Sequence, residues 1–357
     1  NSLTALLLAA ASMGALAESN KVVSPDGRLT VNVVDRDGRL YYDVLYDGKQ
    51  MMLESQLGVV ANIGDFSQRL VYRSVSNRKI ADDYTMRGTK TSAVSYRANQ
   101  MSVVYVNEKK LPMTVTFNVS DNDIAFRYEF GNVNDRTHII IDKEATAFRL
   151  PTQTTTFLSP QSDPMIGWKR TKPSYEEEYT PDAPMTAKSK YGQGYTFPCL
   201  FHVGNDGWVL VSETGTHGNY PGCRLSDYSA EQGYSLVFPM TGECDGRGAA
   251  NAAFALPGAT PWRTITVGST LKPIVETTVS YDVVKPLYEA SEQYKPGRYT
   301  WSWLIWQDNS ANYNDQKQMV DLAAAMGYEY VLVDGFWDQQ TGRERIAELS
   351  RYAQSKG

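Results

Sequence analysis

The sequence predicts a mainly β protein followed by an α/β segment: an antiparallel β-sandwich, then the first two β/α units of a (β/α)8 barrel. Two observations carry this. Short alternating runs of apolar and polar residues, bounded by turn residues, recur from Lys21 to about Val284. After Val284 the order becomes strand, helix, strand, helix, and those strands are largely apolar rather than alternating. A length of 357 residues accommodates two domains with a sizeable core in each. The expected division is 1–17 signal peptide, 18–284 sandwich, 285–298 linker helix and 299–357 start of the barrel.

The sandwich opens on Ser24-Pro25-Asp26-Gly27, a turn, before the alternating run Leu29-Thr30-Val31-Asn32-Val33. Asp35-Arg36-Asp37-Gly38 turns the chain into Leu40-Tyr41-Tyr42-Asp43-Val44, and Asp47-Gly48 ends that run. Asp-Gly between alternating runs is a strong hairpin signal, because Gly and Asp tolerate the left-handed backbone that tight hairpin turns need. Similar runs follow at Met101 to Val106, Met113 to Val119, Ile124 to Phe130, Trp208 to Ser212, Tyr234 to Phe238 and Thr264 to Val267. Such density of short strands predicts one large antiparallel sandwich.

Beyond it, Lys285 to Tyr294 reads as a helix broken by Lys295-Pro296-Gly297, and Tyr299 to Trp306 as a strand. Asn314 is the expected cap of the next helix, with Asp315 at its positive end, a stripe of Met319, Leu322, Ala323 and Met326, and Gly327 as its stop. Tyr328 to Val333 is a second strand ending in Asp334, and Ile346, Leu349 and Ala353 mark one face of a second helix. Two such units cannot close a barrel and leave an unpaired edge, so residue 357 is read as a cut.

Composition narrows the class. A net charge of −5 supplies no electrostatic reason for nucleic acid or an anionic membrane. Leu3 to Leu8 and the alanines after it form a short apolar segment, and Ala15-Leu16-Ala17 before Glu18 is a small-x-small cleavage signal. That predicts an exported product, periplasmic or secreted, with no membrane span and no lipid anchor. The cysteines Cys199, Cys223 and Cys244 are odd in number, so their pairing stays open, and buried free thiols are the expectation.

In a β/α barrel the reacting groups gather beyond the carboxyl ends of the strands. Those ends carry Trp303, Trp306, Gln307 and Asp308, then Asp334, Phe336, Trp337 and Asp338. Aromatic rings beside carboxylates are the chemistry of a sugar pocket, although core packing explains Trp303 equally well. In the sandwich, Glu176 and Glu178 of Tyr175-Glu176-Glu177-Glu178 share one face of an extended segment. Paired carboxylates suit Ca2+ as hard oxygen ligands, and a solvated acidic loop is the ordinary alternative. Glu213, ending the run from Gly207-Trp208, either reaches a neighbouring domain or makes a local bond. His138, His202 and His217 show no ligand spacing.

In order and spacing these pieces resemble glycoside hydrolase family 97, over roughly residues 20 to 357. The matching pieces are Ser24-Pro25-Asp26-Gly27, Tyr175-Glu176, Gly207-Trp208 to Glu213 with Tyr220-Pro221-Gly222, Thr260-Pro261-Trp262-Arg263, Trp301-Ser302-Trp303 and Ala325 to Asp334 with Trp337. The resemblance implies an N-terminal β-super-sandwich, a catalytic (β/α)8 TIM barrel and a C-terminal β domain. It implies an α-glucosidase or α-galactosidase acting on oligosaccharides, with a Ca2+ at the active site. The sandwich glutamate that holds the metal best matches Glu176, then Glu178. Trp303, Asp334 and Trp337 are the expected sugar subsite. The catalytic carboxylates fall beyond residue 357, so no catalytic residue is assigned within this chain, and the chain alone is expected to be inactive. The preferred sugar, inversion or retention, and oligomeric state stay open.

Two other classes compete. One is a non-catalytic carbohydrate-binding sandwich, which fits the aromatics but not the β/α start. The other is a sandwich isomerase, which needs a convergent His and Glu, with His202 and Glu213 the candidates.

Overall fold

Alternation in the first hairpins becomes burial. In strand Leu29–Arg36, Leu29, Val31 and Val33 are fully buried, while Thr30, Asn32 and Val34 are half-buried. In strand Arg39–Tyr46 the buried set is Leu40, Tyr42, Val44 and Tyr46. These strands, with Ser19–Val23 before and Lys49–Leu57 after, form a four-stranded antiparallel sheet in sequence order. The hairpin turns are the Asp-Gly pairs: Asp37 and Gly38 have φ of 52° and 75°, Asp47 and Gly48 50° and 75°. At Gly38 close packing adds to the backbone requirement, since a Cβ would lie 2.9 Å from Arg69 Cα.

The computed structural model describes residues 19–133, 136–163, 165, 177–246, 248–293 and 295–357. Among them a ten-stranded sheet runs Ala183–Pro184, Thr154–Phe157, Cys199–Val203, Trp208–Thr214, Trp262–Gly268, Asp123–Phe130, Pro112–Val119, Ala93–Val106, Val71–Thr85, with Gly258–Ala259 beside Asp123–Phe130. Its inner face meets the four-stranded sheet through aromatic rings. Tyr42 lies 6.3 Å from Phe117 and 5.3 Å from Phe126, and those two stack at 5.3 Å. The Tyr42 hydroxyl donates to the Ala147 carbonyl at 3.0 Å, so the buried phenol leaves no polar atom stranded. The chain is therefore mainly β with an N-terminal sandwich, as the alternation predicts. Strand Val71–Thr85 carries no clean alternation because it lies at the sheet edge with most of its side chains exposed.

The chain divides into two compact units, the second beginning at Pro286. Among the described residues of 285–298 the expected linker helix does not form. Helices Leu271–Glu276 and Val279–Val283 precede it, and the described residues from Val284 to Arg298 are irregular. Leu287 and Tyr288 are 96% and 80% exposed, so a helix there has no apolar face to bury, and short helices are marginal without one.

In the second unit, strands Tyr299–Trp301 and Tyr330–Leu332 pair in parallel, each followed by helix, as expected of β/α units. Three details differ. The first strand stops at Trp301, and Trp303–Trp306 is a helical turn, because Ser302 adopts helical φ and ψ of −65° and −30°. Helix Tyr313–Met326 is capped by Asn312, not Asn314: the extended Asn312 places its side-chain oxygen to accept from the Asp315 amide at 3.1 Å. Its buried face is Gln316, Met319, Val320 and Ala323, a rotation that leaves Leu322 and Met326 exposed. Gly327 ends the helix in the left-handed conformation at φ 65°. Helix Arg343–Ser355 follows, burying Leu349.

On the outer face of the large sheet, Val279 with Val283 and Val284 packs over Ala125 and Trp262. Asp123 is drawn in beneath them, accepting from Thr266 Oγ1 at 2.5 Å and Thr277 Oγ1 at 2.7 Å. Desolvation pushes its carboxyl from 3.8 up to about 6, against the two hydroxyl bonds and with help from the Asp282 charge. A carboxyl raised in the fold holds its proton more tightly there, so it favours the fold at low pH. That contribution is lost as pH climbs from about 4 to about 6, and is worth on the order of 2–3 kcal/mol. Asp123→Asn is expected to gain stability relative to the parent by this amount between pH 4 and pH 7, read by urea unfolding at each pH.

Candidate functional site

The carboxyl ends of the two parallel strands bring Trp301, Trp303, Asp308 and Asp334 together. Trp301 closes its strand opposite Leu332, and Asp334 lies two residues past Leu332. The Trp301 and Trp303 rings stack at 5.4 Å with planes 20° apart. Each indole donates its Nε1–H to a carboxylate at 3.0 Å, Trp301 to Asp334 and Trp303 to Asp308. The Gly335 amide donates to the other Asp334 oxygen at 2.7 Å. Trp337 starts the short helix Trp337–Gln340 and is half-buried, and its ring takes no part in the stack.

The bend that carries Trp303 is braced from below. Ser302 and Ser310 hydroxyls meet at 2.9 Å, Gln316 Nε2 donates to Ser302 Oγ at 2.7 Å, and Thr341 Oγ1 donates to the Ala311 carbonyl at 2.5 Å. Gln307 and Phe336 hold φ of 58° and 66°, left-handed backbone for non-glycine residues. Such strain costs about 1–3 kcal/mol per residue and gathers where loops are fixed for binding. Sequence reasoning named Trp303, Asp334 and Trp337 but passed over Trp301, whose indole joins the first two. Its spacing two residues from Trp303 was the available signal.

The acidic segment of the sandwich is only partly described. Glu176 lies outside the described residues. Glu178 is exposed, whereas Glu177 turns inward and accepts from Lys190 Nζ at 2.9 Å and the Tyr191 hydroxyl at 3.1 Å. Among the described residues no three His, Cys, Asp or Glu side chains come together as a metal site.

Glu213 makes the local bond. It faces Arg263 directly across strands Trp208–Thr214 and Trp262–Gly268, and the guanidinium donates to it. Arg263 is fully buried, and it also donates to Glu144 through Nη2 at 2.5 Å and Nε at 3.3 Å. Tyr220 donates its hydroxyl to the same Glu144, Thr146 Oγ1 donates to it at 3.0 Å, and the Cys223 amide donates to Glu213 at 2.8 Å. Burial works against the Arg263 charge, but Glu144 and its other neighbours outweigh it and hold the guanidinium protonated. Burial pushes the Glu213 carboxyl above its ordinary value despite Arg263, and raises the Cys223 thiol. Cys199 is a buried free thiol and Cys223 a half-buried one. His202 stacks on Trp208 at 4.1 Å and is its cross-strand partner. Glu213 is five residues further along that strand, roughly 17 Å away, so the pair required by an isomerase does not converge.

With this geometry in view, comparison with known proteins places the chain. The profile described as Glycosyl-hydrolase 97 N-terminal matches residues 22–286. The chain belongs to glycoside hydrolase family 97. Its fold overlays a crystal structure of a beta-arabinopyranosidase with a TM-score of 0.90 at 54% identity, covering 95% of this chain and 54% of that one. A family 97 enzyme from Pseudoalteromonas sp. in complex with acarbose aligns with a TM-score of 0.78 at 21% identity, over 95% of this chain and 53% of that one. A probable retaining alpha-galactosidase of Streptomyces bingchenggensis is 25% identical over 347 residues, 93% of this chain and 50% of that protein. The chain thus spans about half the length of the relatives it matches.

The buried node yields a direct expectation. Arg263→Met leaves Glu144 and Glu213 buried beside no cation and should cost about 3–5 kcal/mol in chemical denaturation. Adding Glu144→Gln and Glu213→Gln should recover part of that loss.

Proposed function

We propose that this protein is an exported, exo-acting glycoside hydrolase that removes a terminal pyranose from an oligosaccharide. The observation that carries the reading is the indole pair bound to Asp308 and Asp334 at the carboxyl ends of the two parallel strands, in a family 97 chain. Each Asp334 oxygen takes one protein donor, which leaves acceptor capacity for sugar hydroxyls. Trp303 has one face on Trp301, and its other face suits the apolar side of a sugar ring. Trp337, three residues past Asp334, is assigned to the same subsite through the family resemblance.

For the sugar, the 54% identical beta-arabinopyranosidase favours a β-arabinopyranoside, and the probable retaining alpha-galactosidase favours an α-galactoside. These are one stereochemical class: β-L-arabinopyranose is α-D-galactopyranose without its hydroxymethyl group. An α-glucoside, inverted at C4, is the contrast. Cleavage proceeds by paired carboxylates, one protonating the leaving oxygen and the other attacking the anomeric carbon or activating water. The family resemblance puts both beyond residue 357. Calcium belongs to this proposal through that resemblance, with Glu176 and Glu178 as the residues that would hold it.

The test uses the protein at the length of its relatives with aryl β-arabinopyranoside, α-galactoside and α-glucoside, with and without a calcium chelator. Hydrolysis of the first two at least 10-fold faster than the third is expected, with activity lost on chelation. Asp334→Asn should lower kcat/KM about 10- to 100-fold, the loss of a hydrogen bond to a charged group. Sugar binding with no hydrolysis of any of the three would favour a carbohydrate-binding role instead.

A further inference from the structure

We propose that Trp301 is a positioning residue for Asp334, acting through its indole N–H rather than by touching the sugar. This rests on Asp334 belonging to the sugar subsite. A carboxylate just past a strand end has side-chain and loop freedom, and two donors from different places remove it here. The Gly335 amide holds Oδ1 from within the loop, and Trp301 Nε1 holds Oδ2 from the neighbouring strand. A donor to each oxygen fixes the plane of the carboxylate as well as its place.

Trp301 is itself held in two ways. Its backbone is paired with Leu332, its ring is stacked on Trp303, and Trp303 is pinned in turn by its bond to Asp308. Phe336, two residues after Asp334, holds a left-handed φ of 66° in the same loop. A tryptophan needed only for packing could equally be phenylalanine, which keeps the stack. What phenylalanine lacks is the N–H, and the N–H has Asp334 as its acceptor.

The experiment compares Trp301→Phe, Asp334→Asn and the double variant in the enzyme at the length of its relatives, using whichever aryl glycoside it hydrolyses. Trp301→Phe should lower kcat/KM about 10-fold or more through a raised KM, with far-UV circular dichroism and Tm showing an intact fold. In the Asp334→Asn background the same substitution should change kcat/KM less than 2-fold, because its effect passes through Asp334. Equal losses in both backgrounds, or no loss in the parent, would overturn the assignment. Asp334→Asn without effect would remove the subsite reading beneath it. A second readout does not need the Trp301 variant to fold. In 15N-tryptophan-labelled protein, Asp334→Asn should move the Trp301 indole N–H resonance upfield, and an unmoved resonance overturns the proposal.

Discussion

The sandwich is organised around one buried guanidinium. Arg263 occupies a strand whose seven residues are all buried, and it joins Glu213 on the neighbouring strand to Glu144 at the end of His138–Glu144 in another sheet. Desolvating a guanidinium is expensive, and two carboxylates with their own hydroxyl and amide donors offset most of that cost. The result is geometric more than energetic. Once Arg263 is buried, Glu144, Thr146, Tyr220 and Cys223 have one mutual arrangement that satisfies every charge, and two sheets and the 217–223 turn are fixed with it.

That node also marks the boundary of what could be read from sequence. Alternation and Asp-Gly turns are local, period-two signals, so the hairpins around Asp37-Gly38 and Asp47-Gly48 were legible. The Arg263–Glu144 pair spans 119 residues, and nothing local to either announces the other. Arg263 stood in a matched segment without drawing notice, while Glu213 could be read either way until its cross-strand partner was known. Edge strand Val71–Thr85 was invisible for the opposite reason: with most side chains in solvent there is no buried face to pattern.

In the second unit, type and order were legible and boundaries were not. Continuous apolar character predicted Tyr299 to Trp306 as one strand, yet backbone pairing ends at Trp301, where Ser302 turns into a buried hydroxyl network with Ser310 and Gln316. That break makes the site, because it folds Trp303 back onto Trp301. Trp303, Asp334 and Trp337 were named from their place after strands, and the link from Trp301 to the first two was missed because it depends on a bend that no periodicity signals. Asn312 and Asn314 are both good caps, and only the extended backbone at Asn312 decides between them.

The long edge of the ten-stranded sheet has a colloidal consequence. Strand Val71–Thr85 presents fifteen residues of backbone with pairing on one side among the described residues, a template onto which another chain could add. Arg73, Arg78, Lys79, Asp82 and Asp83 stud that edge. Asp83 is paired with Arg97 and Arg78 with Gln100 on the adjoining strand, and a foreign strand docking there would have to strip water from these charged groups. Resistance to edge-to-edge pairing is thus supplied by a strand that the hydrophobic core barely uses.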